Sequence, residues 1–278
     1  MQHVRYVEPE RGAPEVPLLG GDVTEGVVRV GDTVRRPVGP HSAAVHCYLR
    51  HLADVGFDAA PRFLGVDDRG REVLTYVPGE PGGRPLHAWA AGESVLDGIA
   101  SIQRRLHDCS QGFVLPDGVA WQAPTVVEGV PPPYDEPDVV SHNDMTPDNL
   151  VFRDGQPVAL IDFDLSGPTT RLLDVVTTLL YWAPLRAPGD RDPVLRDVDA
   201  GRRMRVYADA YGLTAAERAR LVDVADRRFA RSWHVMRHHA EHRGGGWARM
   251  WSEGVGELIR RSHAWLRAER DALQDALR

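Results

Sequence analysis

The chain has 278 residues, 42% hydrophobic and 26% charged, with a net charge of −7. That length can bury one large core or two modest ones, and a mildly acidic chain is not built to hold a nucleic acid polymer non-specifically. There is no lysine, all 33 basic residues being arginine, which excludes the Walker P-loop and Schiff-base or pyridoxal-phosphate chemistry.

No apolar run approaches the ~20 residues of a spanning helix, and residues 1 to 6 offer no apolar leader core. Cys47 and Cys109 form no metal or redox spacing. The expectation is a cytoplasmic protein with no membrane partner.

Residues 1 to 15 carry Pro9, Gly12 and Pro14 without periodicity and read as an irregular arm. Residues 16 to 36 read as strands around a glycine-bearing turn at 20 to 26, whose backbone N–H groups could face phosphates. Gly31-Asp32 is a Gly-first hairpin turn. It pairs Val30 with Thr33 and Val28 with Arg35, so Val28 and Arg35 share one face while Arg36 lies on the other with Val27 and Arg29. After the break at Pro37 to Pro40, Ser42 caps a helix with an apolar stripe at Val45, Leu49 and Leu52 that ends near Gly56.

Residues 71 to 77 read as a last strand, closed by a Pro/Gly-rich run at 78 to 83. That run marks a boundary between a smaller unit, 1–79, and a larger one, 80–278. Helical spacing at Val95, Ile99, Ile102 and Leu106 predicts a helix over 93–107, with His107 a packed or capping residue. Residues 110 to 137 are proline-rich and read as a surface loop. Further helices are predicted at 198–212, 215–240 and 247–277. His234, His238 and His242 recur every four residues, but with no carboxylate or cysteine partner they read as a solvated or pocket-lining face.

The chemistry concentrates in Ser141-His142-Asn143-Asp144-Met145-Thr146-Pro147-Asp148-Asn149-Leu150 and Leu160-Ile161-Asp162-Phe163-Asp164. Apolar runs on either side of Asp154-Gly155-Gln156-Pro157 read as two short strands and a turn. Pairing Arg153 with Val158 sets Asn149 opposite Asp162, with Cβ atoms roughly 4.5–5.5 Å apart. An amide oxygen and a carboxylate would then meet over one point, which suits Mg2+. An Asp that takes a hydroxyl proton, followed by an Asn and an Asp on Mg2+, is what phosphoryl transfer needs. His142-x-Asp144 with His234 also spells an iron facial triad, but that chemistry sits in a β barrel and the chain turns helical after Asp174.

On these motifs the sequence resembles the aminoglycoside phosphotransferase family of the protein-kinase-like superfamily: His142-Asn143-Asp144 with Asn149 resembles its catalytic loop, and Ile161-Asp162-Phe163-Asp164 its metal-binding segment. The resemblance implies an α+β, two-lobed kinase-like fold, with a small antiparallel-sheet N-lobe carrying one helix and a larger, mostly helical C-lobe. It implies ATP or GTP and Mg2+ as cofactors, Asp144 as the catalytic residue, and Asn149 and Asp162 on the metal. His142 and Asp174 support the loop, Asp174 by hydrogen bonding to its backbone, while Asp164 reads as a loop carboxylate.

For the nucleotide, the resemblance implies the turn with Thr24 and Gly26, Val28 over the base, Arg35 in place of the usual lysine, and Thr75, Tyr76 and Val77 as the hinge. The glutamate that orients that lysine is absent, since Val45 or His46 stands at its place. Glu241, Trp251, Glu253 and Glu257 in the helical part are candidate substrate contacts, with Trp247 beside them. The implied activity is phosphorylation of a hydroxyl on a small polar, possibly cationic molecule such as an aminoglycoside or related antibiotic. The alternative, suggested by the missing lysine and glutamate, is a kinase-like binding protein that has lost transfer.

Overall fold

The computed structural model describes residues 14–18 and 26–278. Among these, β1 (Val16–Pro17), β2 (Val28–Val30) and β3 (Thr33–Pro37) lead through α1 (Ser42–Asp54) to β4 (Phe63–Val66) and β5 (Arg71–Thr75). The strands form one antiparallel sheet in the order β1-β2-β3-β5-β4. Thr24 and all of the glycine turn but Gly26 lie outside the described residues. The Gly31-Asp32 turn sets the expected register, Val30 opposite Thr33 and Val28 opposite Arg35.

The chain leaves the sheet after Thr75, two residues before the expected strand end. β6 (Glu80–Pro81), α2 (Ser94–Cys109), β7 (Val139–Ser141), β8 (Leu150–Arg153), β9 (Gln156–Leu160) and β10 (Gly167–Thr169) follow. They make two small sheets, β6-β8-β9 and β7-β10. The rest is helical: α3 (Arg171–Trp182), α4 (Ala200–Tyr211), α5 (Ala215–His242), α6 (Gly245–Ser252), α7 (Val255–Ala268) and α8 (Arg270–Ala276). The architecture is α+β, a sheet-rich N-terminal part followed by a helical C-terminal part.

Local chemistry explains the helices. α2 buries Val95, Ile99, Ile102 and Leu106 on one stripe. α5 starts with a capping box, in which the Thr214 hydroxyl accepts from the Glu217 amide and the Glu217 carboxylate takes the Thr214 amide. α4 ends on Gly212 at φ +82°, a left-handed stop that glycine adopts without strain. The single helix expected over 247–277 is three segments. Gly254, at φ +94°, breaks it first, and Glu269 leaves helical geometry between α7 and α8.

One apolar core runs from Tyr48, Leu49 and Leu52 on α1 through α2 and α3 to α4 and α5. Tyr48 ties the two parts: its hydroxyl donates to the Val140 carbonyl at 3.0 Å and lies 2.6 Å from Ser110 Oγ. The Leu160 amide donates to Ala59 O at 2.9 Å. Residues 110 to 137 form the expected loop, held on α5 by Arg231, which donates to the Pro131 and Thr125 carbonyls, and by His239 beside the Thr125 hydroxyl.

Where the first part gives way to the second, Gly79 sits at φ +141°, and a Cβ there would lie 2.4 Å from Phe152 O on β8. Gly79→Ala is expected to cost about 1–3 kcal/mol, as overpacking does, and to lower the melting temperature by several degrees. Gly189→Ala, with open space around it, should leave it unchanged in the same calorimetric scan.

Candidate active site

The segment from His142 to Asn149 is a loop between β7 and β8 that ends in a 3-10 turn, Pro147–Asn149. Its geometry is set from within. Asn149 Nδ2 donates to Asp144 Oδ2 at 2.8 Å and to the Asp144 carbonyl at 3.0 Å. His142 is fully buried; its Nε2 lies 2.9 Å from Ile161 O, while the Asp144 amide donates to its Nδ1 at 3.3 Å. The ring therefore carries its proton on Nε2 and links Asp144 to the residue before Asp162. Asn143, at φ +64°, turns its amide onto the Leu165 and Gly167 carbonyls. Trp182 Nε1 of α3 holds the Met145 carbonyl at 2.8 Å.

The expected register of the β8–β9 hairpin is corrected. Asp154 and Gly155 both have positive φ, forming a two-residue turn that pairs Arg153 with Gln156 rather than Val158. A bulge between Val151 and Phe152 then brings Leu150 opposite Leu160. Asn149 consequently faces Ile161, whose amide donates to Asn149 O at 2.9 Å. Asp162 falls one residue beyond, in a left-handed turn at φ +62°. Its charge still reaches Asp144.

Burial pushes the Asp144 carboxyl above its ordinary value. Asp162 adds to the rise, while Arg84 and the Asn149 hydrogen bond pull it back. The effect is a carboxylate tuned toward proton uptake. Asp164 is raised by burial too, against the pull of Arg36.

The cation beside these acids is Arg36, not the expected Arg35. Arg36 NH1 donates to Asp162 Oδ1 at 3.1 Å, its NH2 reaches Asp164, and its Nε lies 2.9 Å from Glu72 Oε1. Arg36 pairs across to Glu72 on β5, on the sheet face where His46 of α1 stacks on Phe63 and meets Glu72 at 2.5 Å. Arg35, on the opposite face with Val28, points to Asp67 at 3.7 Å and Thr33. The face toward Asp162 thus carries Val34 and Arg36, with Arg29 opposite Val34. Burial works against the charge on Arg36, but Asp164, Asp162 and Glu72 hold it protonated. The signal for Arg36 was present in the alternation of faces; which face turned inward depends on where α1 packs.

The other expected positions divide. The Tyr76 amide is occupied by the Asp32 carbonyl at 2.8 Å and its ring is covered by Arg29, while Thr75 Oγ1 accepts from the Arg62 amide. Val77 packs on the core. Glu241 and Glu257 are exposed and paired with Arg237 and Arg260, Glu253 is exposed at the end of α6, and Trp251 packs edge-on against Trp233. Trp247 lies against His239. Among the described residues none of the four substrate candidates bonds to Asp144, Asn149 or Asp162.

Asp174 departs from expectation as well. Instead of the loop backbone it holds side chains: its Oδ2 accepts from Ser141 Oγ at 2.8 Å, His107 Nε2 at 2.9 Å and Gln103 Nε2 at 2.6 Å. Burial opposes the ionised form, yet the hydrogen bonds, that from His107 foremost, hold its pKa below the ordinary carboxylate range. Among the described residues no group of three or more His, Cys, Asp and Glu could hold a metal, the His234, His238 and His242 face included.

A model of the phosphotransferase enzyme family matches residues 115–213. A trifolitoxin immunity protein of Rhizobium leguminosarum bv. trifolii is 33% identical over 220 residues, 75% of this chain and 78% of that one. Among solved structures, a microcompartment-associated aminopropanol kinase superposes with a TM-score of 0.59 at 17% identity, covering 96% of this chain and 94% of that chain. The GDP complex of aminoglycoside 2'-phosphotransferase-IIIa gives 0.58 at 16%, covering 92% and 94%.

The depressed Asp174 carboxylate stabilises the fold above its unfolded pKa of about 3.9, and that contribution is lost as pH falls through the lower folded value. Asp174→Asn is expected to cost about 1–3 kcal/mol at pH 7 and progressively less below about pH 4. Urea midpoints of both proteins across that range check it.

Proposed function

The chain belongs to the phosphotransferase enzyme family, and we propose that it carries the terminal phosphoryl group of ATP or GTP, with Mg2+, to a hydroxyl of a small polar molecule. The observation that carries this reading is the convergence of Asn149 on the Asp144 carboxylate beside Asp162, itself gripped by Arg36. The similarity to an immunity protein supports an antibiotic or toxin as the molecule disarmed.

In this reading the acceptor oxygen forms a bond to the γ-phosphorus as the bridging bond to the β-phosphate breaks. The electron pair leaves on the nucleoside diphosphate, and the hydroxyl proton passes to Asp144. A carboxylate raised by burial is a stronger base than one in water. Asn149 and Asp162 would hold Mg2+: with the amide nitrogen of Asn149 engaged by Asp144, its oxygen remains as a donor beside a carboxylate, and such hard oxygen ligands fit this ion. When bound, Mg2+ neutralises phosphate charge.

Arg36 takes the part expected of Arg35, on the phosphates of the nucleotide. Glu72 and His46 do for it what a helix glutamate does for the usual lysine, which supports activity over the binding-only alternative. Gly26, Val34 and the segment from Thr75 to Val77 would border the nucleotide, in a cleft between lobes 1–79 and 80–278.

Asp144→Asn is expected to lower acceptor-dependent nucleoside diphosphate release by about 10²–10⁴-fold while nucleotide binding persists. Arg36→Ala should weaken nucleotide binding well beyond Arg35→Ala in calorimetric titration. Undiminished release in the first variant would sink the mechanism, and equal effects in the second pair would sink the clamp.

A further inference from the structure

The wall beside Asp144 is built from α3 and α5. Trp182, in the last turn of α3, bonds to the carbonyl of Met145, so this end of α3 lies directly against the residue that follows Asp144. Tyr181 is next to it, with the Arg186 guanidinium 5.2 Å from its ring centroid. One turn earlier, Thr177 Oγ1 accepts from Arg228 Nε of α5 at 3.0 Å. Arg228 NH1 donates to Ser232 Oγ at 3.4 Å.

Both partners of Arg228 are neutral. Among the described residues no carboxylate lies within ion-pair distance of Arg228 or Arg186, and Arg228 NH2 meets no protein acceptor. Burial disfavours the Arg228 charge; Tyr181, Asp144 and Asp174 favour it, and the nearby Arg186 opposes it. The charge of Arg84 acts on Asp144 from its own side. The Arg228 guanidinium, with no carboxylate at ion-pair distance and its charge felt by Asp144, therefore borders the place where an acceptor hydroxyl must lie; the Arg186 charge lies near it and also acts on Asp190, while the carboxylates Glu241 and Glu257 pair with arginines elsewhere. A cationic acceptor would meet repulsion here. A desolvated guanidinium instead favours a planar anion, to which it can donate two parallel hydrogen bonds.

We propose that the acceptor is a hydroxy acid, a small molecule bearing both an alcohol and a carboxylate, with the carboxylate held by Arg228 and Arg186 while the alcohol meets Asp144. This rests on the phosphotransfer reading and names its substrate class.

The test uses the purified full chain with MgATP and MgGTP, following diphosphate release with matched acceptors: glycerate against glycerol, serine against ethanolamine, gluconate against glucose. Acids are expected to stimulate release at least about tenfold more than their partners, the size of one charge-assisted hydrogen bond. Arg228→Gln should erase most of that preference and Arg228→Lys should restore part of it. Arg186→Gln, which leaves the Arg228 hydrogen bonds to Thr177 and Ser232 in place, should shift the ratio the same way. Preference for the amine or neutral members, no response to any acid, or an acid preference unchanged in both glutamine variants would overturn the proposal. The phosphotransfer reading fails on a different result, diphosphate release that survives Asp162→Asn, whichever acceptor is present.

Discussion

A single buried carboxylate holds the site together from beneath. Asp174 is 1% exposed, and an ionised acid so placed is tolerated only because Ser141, His107 and Gln103 converge on one of its oxygens. The three partners come from two elements. Ser141 ends the strand that delivers His142 and Asp144, whereas His107 and Gln103 belong to α2, and Tyr211 and Tyr207 of α4 complete the network on their far sides. The strand end that launches the active loop is thereby fastened to three helices at once. The loop then needs few further restraints, because His142, Asn143 and Asn149 each bond within it or to the segment that follows.

Above the site the corresponding constraint is Arg36. A lysine would offer one point of charge; a guanidinium offers a planar fork, and here the fork is divided among Glu72, Asp162 and Asp164. The usual kinase arrangement orients its cation from the helix. In this chain the orienting carboxylate has moved to the neighbouring strand, and the helix contributes His46 as a second layer behind it. On the proposed reading, a positive charge beside Asp162 is kept although both residue types differ.

Much of this was legible in the letters. The hairpin at Gly31-Asp32, the helical stripe of α2 and the spacing of His142, Asp144, Asn149 and Asp162 rest on local rules of turn chemistry and period, and local rules survive folding. The rest depended on tertiary facts. Nothing in Thr33-Val34-Arg35-Arg36 tells which side of the strand α1 will cover, so alternation yielded two faces without ranking them. The slip in the β8–β9 register arose at the turn, which closes over Asp154-Gly155 alone and not over four residues, and a bulge, which has no compositional signature, then restored one residue of the offset. The tryptophans and glutamates of the C-terminal helices could not be sorted into pocket and surface, because their partners Arg237, Arg260 and Trp233 are selected by packing.

The division of labour in Arg36 also decides which reagents can see this protein. Acyl phosphates and similar electrophiles capture kinases through the amine that lies under the transferred phosphate, and a guanidinium, protonated at any workable pH, is no nucleophile toward them. Profiling by lysine acylation would therefore pass over Arg36, as it would over the rest of a chain that has no lysine.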